Sequence, residues 1–154
     1  RGAAWFDHEW STSALGPGAV GWDWFSLQLD DGRELMLFQI RRADGSVEPV
    51  SGGTLVEADG RSRRLLATDV RVHVLEHWTS PESGAVYPSK WKIEIPVLAL
   101  RLDVLPRLAA QEMRTSFTYW EGAVRVSGTS GDRSLAGRGY VELTGYARTM
   151  QGVF

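Results

Sequence analysis

Apolar and polar residues alternate with a period of two along most of this chain, in short runs punctuated by glycine, proline and aspartate. Because successive side chains of a strand point to opposite sides of the pleat, such runs predict half-buried β-strands. The most legible pair is Gly21 to Leu29 and Glu34 to Arg42, joined through Asp30-Asp31-Gly32-Arg33, where Asp-Gly suits the positive backbone angles of a tight turn. Phe25, Leu27 and Leu29 form one face of its first strand, and Trp22, Trp24, Ser26 and Gln28 form the other. Both faces carry large apolar groups, so one side is expected to pack while the other lines something.

Other segments repeat the pattern. Ala4 to Ser11 reads as a strand with Trp5, Asp7 and Glu9 on one face and Phe6, His8 and Trp10 on the other. Val47 to Val50 leads into Thr54 to Ala58, and Val70 to Trp78 alternates cleanly as a half-buried strand. Lys92 to Ile95 and Val97 to Val104 flank Pro96, which marks an edge, a bulge or a bend because proline donates no ladder hydrogen bond. Pro106 to Met113 is the only plausible helical turn. The chain closes with Phe117 to Val126 and Gly137 to Tyr146, read as an antiparallel hairpin with a long loop from Ser127 to Asp132. Trp120, Gly122, Val124 and Val126 share one face of the first of these strands; Tyr140, Glu142, Thr144 and Tyr146 share one face of the second, a row that resembles a cavity lining. About nine or ten short strands with at most one short helix predict an all-β fold, a sandwich or an up-and-down antiparallel barrel, with the cavity-like faces favouring the barrel.

Composition narrows the possibilities. The 154 residues fit one domain, taken as 1–154, with a sizeable core. A formal charge of −2 argues against nucleic acid or an anionic membrane as main partner. The chain has no cysteine, which removes disulfides, thiolate catalysis and sulfur-bound metals. His8, His73 and His77 are the only imidazoles; His73 and His77 lie four residues apart on one strand face, roughly 13 Å at about 3.3 Å per residue, too far to share an ion. Asp7, His8 and Glu9 cannot converge on one either, since His8 faces away from both acids. No metal or other cofactor is therefore expected. Arg61, Arg63 and Arg64 read as a solvated basic loop. No apolar run is long enough for a membrane span, and the absence of an initiator Met suggests a processed or excised chain. Seven tryptophans and seventeen glycines suit a curved sheet around an apolar ligand.

Several long motifs carry a resemblance. Trp5-Phe6-Asp7-His8-Glu9-Trp10, the Gly21 to Gly32 segment, Tyr87-Pro88 before Trp91, Gln111-Glu112, Tyr119 to Val124 and Gly137 to Tyr146 resemble the carotenoid 1,2-hydratase and AttH-like family. The match is to its C-terminal lipocalin-like half, described in that family as a predicted secreted hydrolase. The resemblance covers nearly the whole chain and implies a lipocalin-like barrel, a bacterial and periplasmic or secreted setting with a cytoplasmic one left open, and relatives that hydrate carotenoids or catalyse Diels-Alder cyclisations. Full-length members pair two such barrels, so a missing second barrel or a homodimer is a candidate partner. It also implies site residues: the Trp and Tyr-x-Asp pattern of the hydratases falls on Trp120 and on Tyr140 with Glu142. Glutamate stands where aspartate is expected, and Thr118 where a histidine precedes the tryptophan.

Acid catalysis on an alkene needs a proton donor, an aromatic surround for developing positive charge, and a controlled water. Glu142 and Tyr140 are accordingly the expected catalytic groups, with Trp120, Tyr146, Trp22, Trp24 and Thr144 as substrate-binding residues. The alternative for Glu142 is a structural carboxylate paired with Arg125 or Arg138. The function expected is a small-molecule enzyme, a hydratase, isomerase or cyclase, acting on an elongated apolar substrate inside the barrel; the alternatives are a non-catalytic carrier or a structural half-module. In the half-module reading Val141 and Leu143, with Phe25, Leu27 and Leu29, form a docking surface. Glu121 faces away from Trp120, and a pairing of Glu121 with Glu142 has no motif behind it.

Overall fold

The computed structural model describes residues 2, 4–8 and 15–152. Ten strands form one curled antiparallel sheet: β1 (Ala19–Leu29), β2 (Glu34–Arg42), β3 (Gly52–Val56), β4 (Ser62–Leu66), β5 (Arg71–Thr79), β6 (Val86–Ile95), β7 (Leu100–Pro106), β8 (Glu112–Arg114), β9 (Thr118–Ser130) and β10 (Arg133–Leu143). The strand order is β4-β3-β2-β1-β10-β9-β7-β6-β5, with β8 on β9. The path runs from β4 to β5 without pairing the two, so the sheet is a half-barrel. Two single turns of 3-10 helix, Ala67–Asp69 and Pro96–Leu98, are the only helical pieces among the described residues. The all-β lipocalin-like expectation holds, and the first and last strands meet at the centre of the sheet.

The alternation read from sequence sorts the side chains as physics requires. Phe25, Leu27, Leu37, Trp91, Ile93, Val104, Trp120, Val124, Val141 and Leu143 fill the concave side and are almost wholly buried. Phe25 meets Trp91 edge-on at 5.6 Å, and Trp91 meets Trp120 at 6.5 Å, so three large rings occupy the space inside the curl. Val141, Leu143, Phe25, Leu27 and Leu29 are therefore core, which overturns their reading as a docking surface. Their burial follows from register: Leu27 lies opposite Gly139 and Val141 opposite Gly122, so these residues share the face that carries Trp120.

Other corrections are local. The closing hairpin turns on Gly131-Asp132 alone, since Ser130 already pairs with Arg133. Gly131 takes φ +57°, the positive angle that a II′ turn needs at its first central position, and the strands run on to meet it. Thr144 to Tyr146 lie beyond β10. Pro106 to Met113 makes no helical turn: Gln111 receives the Ala123 N–H on Oε1 at 3.0 Å and donates from Nε2 to the Leu108 carbonyl at 2.7 Å, occupying groups an extended chain leaves free. Residues 4–8 are not strand, and Glu9 and Trp10 lie outside the described residues. Val70 to Trp78 falls on β5, an edge strand more exposed than its alternation suggested. Arg61, Arg63 and Arg64 are exposed, as a solvated cluster should be.

One polar knot ties a loop to the sheet. Glu112 accepts hydrogen bonds from Ser80 Oγ at 2.7 Å, Ser83 Oγ at 2.5 Å and Tyr87 Oη at 3.0 Å. Burial works to raise its pKa, but these donors outweigh burial and hold it below its ordinary 4.5. A carboxylate depressed in the folded state adds stability that is present above 4.5 and lost as pH falls through the lower folded value. Urea unfolding midpoints should therefore drop on acidification below 4.5, and Glu112→Gln should flatten that dependence while lowering the midpoint at neutral pH.

Candidate functional site

The convex, outer face of β1, β10 and β9 carries a cavity of about 660 Å³. Its floor is set by register. Trp24, Glu142 and Glu121 lie side by side across the three strands, and the next row is Ser26, Tyr140 and Ala123. A third row, Gln28, Arg138 and Arg125, follows. Trp5, from the segment before β1, meets Trp24 edge-on with ring centroids 6.2 Å apart and forms a wall. Asp7 and Arg107 complete the charged lining.

Trp22 holds the acid. Its indole Nε1 donates to Glu142 Oε1 at 2.5 Å, while its backbone N–H donates to Thr144 Oγ1 at 2.9 Å and its carbonyl accepts the Thr144 N–H at 2.9 Å. Both main-chain groups and the ring are thus fixed, and the Glu142 carboxylate with them. Glu121 stands directly opposite Glu142 on the same face, a like-charge juxtaposition that cross-strand pairing ordinarily disfavours. Burial first, then the charges of Glu121 and Glu142, hold the Tyr119 hydroxyl above the ordinary tyrosine range.

Of the expected site residues, Glu142, Tyr140, Trp22 and Trp24 line this cavity, with Tyr140 42% exposed. Trp120, Thr144 and Tyr146 do not. Trp120 is 1% exposed on the concave side and donates from Nε1 to the Ala109 carbonyl at 2.8 Å. It differs in parity from Glu121, so it faces the core whenever Glu121 faces the cleft. Thr144 is the buried clamp on Trp22. The interior cavity expected for the ligand is filled by Trp91, Trp120 and Phe25; the space lies on the other side of the sheet. Glu142 does not find its ion pair on the neighbouring arginines, since neither Arg125 nor Arg138 has one among the described residues.

Tyr146 belongs to a separate buried cluster at the core end. Asp23 points inward from β1, accepts from Arg41 Nε at 2.9 Å, and accepts from Tyr146 Oη at 3.0 Å. Arg41 also donates to the Thr144 carbonyl and lies 3.8 Å from the centre of the Tyr146 ring. Burial drives the Asp23 carboxyl above its ordinary range, against the pull of Arg41 and Tyr146. The sequence signal for this cluster was an acid at an inward position of a strand, with an arginine near its partner on β2. The signal for Glu121 was parity: it alternates with Trp120. No group of three or more potential metal ligands gathers among the described residues.

The chain matches the model of the AttH-like family over residues 1–146. It also resembles the crystal structure of a Nitrosomonas europaea protein assigned as AttH, with TM-score 0.79 and 38% identity over 90% of this chain. That alignment covers 42% of the solved protein, so the chain spans less than half the length of this relative. No curated protein matches.

Removing the buried acid should strand Arg41. Asp23→Ala is expected to cost about 3–5 kcal/mol in chemical denaturation, whereas Tyr146→Phe, which removes one hydroxyl and keeps the ring under Arg41, should cost about 1 kcal/mol.

Proposed function

The chain belongs to the AttH-like family, and on that premise we propose that its outer-face cleft binds an elongated apolar small molecule on which Glu142 performs cofactor-free proton transfer. The reactions this suits are hydration, isomerisation or cyclisation of an unsaturated chain. The observation that carries the reading is Glu142 itself, held by Trp22 Nε1 on the floor of a cavity walled by Trp5, Trp24 and Tyr140. Ring faces favour positive charge developing on a protonated alkene, and a carboxyl fixed beneath them is placed to deliver the proton. Tyr140, one row away, contributes a hydroxyl able to orient water or polarise a carbonyl. Trp120, Thr144 and Tyr146 drop out as substrate contacts in this reading; Trp120 and Tyr146 support the sheet from within, and Thr144 fixes Trp22.

A second reading draws support from the span of the alignment. If the 154 residues are one lipocalin-like unit of a longer two-barrel protein, the outer face is where another unit would lie, because Met36, Phe38 and Ile40 of β2 extend its apolar surface beside Trp22 and Trp24. Light scattering at high concentration addresses this, a strict monomer counting against a self-associating face.

Proton transfer is tested by isotope exchange. An acyclic isoprenoid polyene incubated with the protein in D2O should take up deuterium, read by mass spectrometry, and Glu142→Gln should slow uptake by about 100-fold or more while retaining the bound polyene. Equal uptake by the variant would remove Glu142 from the chemistry. Retained binding with no uptake by either protein would indicate a carrier.

A further inference from the structure

Between β9 and β10, beneath the cleft, charges of like sign are placed opposite one another. Glu121 is directly opposite Glu142, and two rows further along the same strands Arg125 is directly opposite Arg138. Tyr140, Ala123 and Ser26 separate the two pairs. Arg107 enters from the end of β7, its backbone N–H bound to the Ala123 carbonyl at 2.9 Å, and brings a third guanidinium to the cavity beside the middle row. A surface arranged for stability places opposite charges across from one another, since like charges directly opposite are destabilising. Here each sign faces its own kind. Arg107, Arg125 and Arg138 take no ion pair among the described residues, as is also true of the exposed Arg63, Arg64, Arg71 and Arg148; Arg107 and Arg138 differ from those four in lining the cavity.

We infer that the cleft takes a substrate with an anionic head, an unsaturated carboxylic acid, whose carboxylate sits on Arg107 and Arg138 and whose chain runs over Tyr140 to Trp24 and Glu142. This rests on the reading of the outer-face cleft as a small-molecule site and adds which molecule enters and which way round. Arg107 and Arg138 both line the cavity, and guanidinium groups fit a carboxylate with paired, charge-assisted hydrogen bonds. Arg125 flanks them and raises the local positive potential. Arg138 and Glu142 are four residues apart on β10, about 13 Å at about 3.3 Å per residue. The head therefore fixes which carbons of the chain reach the acid. A carboxylate entering in reverse would meet the Glu121 charge and lose both guanidinium partners, so the placement of charges sets orientation as well as affinity.

The test compares cis-parinaric acid, a fluorescent tetraene, with its methyl ester by titration of tryptophan quenching. The acid should bind at least about fivefold tighter than the ester, and Arg107→Gln and Arg138→Gln should each weaken the acid by about fivefold and leave the ester unchanged. Arg63→Gln, on β4 away from the cleft, should change neither. Added salt should narrow the gap between acid and ester. In competition, decanoate should displace the tetraene acid better than decyl phosphate; the reverse order would overturn the carboxylate assignment in favour of a phosphate head. Equal binding of acid and ester would overturn the anionic head while leaving an apolar site in place. Failure of both to bind would overturn the cleft itself as a site for such chains.

Discussion

The register in which β10 lies between β1 and β9 is the constraint on which the rest depends. Strand side chains alternate, so a slip of one residue would carry Val141 and Leu143 to solvent and bring Tyr140 and Glu142 into the core. Glycines fix the register. A Cβ on Gly139 would come within 2.1 Å of the Ser26 carbonyl oxygen and 2.8 Å of a Leu27 methyl, and one on Gly137 within 2.6 Å of the Gln28 carbonyl. Only bare backbone lets β10 approach β1 this closely at those rows, so no shifted pairing fits equally well. The same alignment that seats Leu27 and Val141 in the core places Glu142 beside Trp24 and across from Glu121.

Much of the fold was legible because alternation is a local property. The β1–β2 hairpin, the two faces of β1 and the all-β class follow from residues within a few positions of one another. The side of the sheet on which the space would lie was not, because that depends on volume contributed from distant strands. Trp91 on β6 and Trp120 on β9 come together with Phe25 on β1 to fill the curl, and no run of sequence announces that meeting. Tyr140, Glu142, Trp22 and Trp24 line one cavity, whereas the motif alone groups Trp120 with them although its alternation with Glu121 sets it on the other face. The segment before β8 misled for a different reason: its alanines and leucine favour helix, but the Gln111 side chain substitutes for ladder partners and keeps the chain extended.

Trp22 joins the two sides of the sheet. Its ring reaches Glu142 on the convex face, while its backbone is clamped by Thr144, whose carbonyl in turn receives Arg41 from the cluster around Asp23. The buried ion pair on the concave side thus stiffens the support beneath the acid without touching the cleft. A variant that disturbs Asp23 would be felt at Glu142 through the peptide of Thr144 and the indole of Trp22, although the two carboxylates lie on opposite faces.

The half-barrel leaves strands at both ends of its path, and open strands invite indiscriminate pairing. On β5 the exposed edge carries Arg71, His73, Glu76 and His77, with Glu76 bound to Lys90 at 2.9 Å. An incoming strand would have to desolvate these groups for a ladder that any extended peptide could supply. The charged margin thereby disfavours strand addition at β5 and leaves the broad face floored by Trp24, Tyr140 and Glu142 as the sheet's open surface.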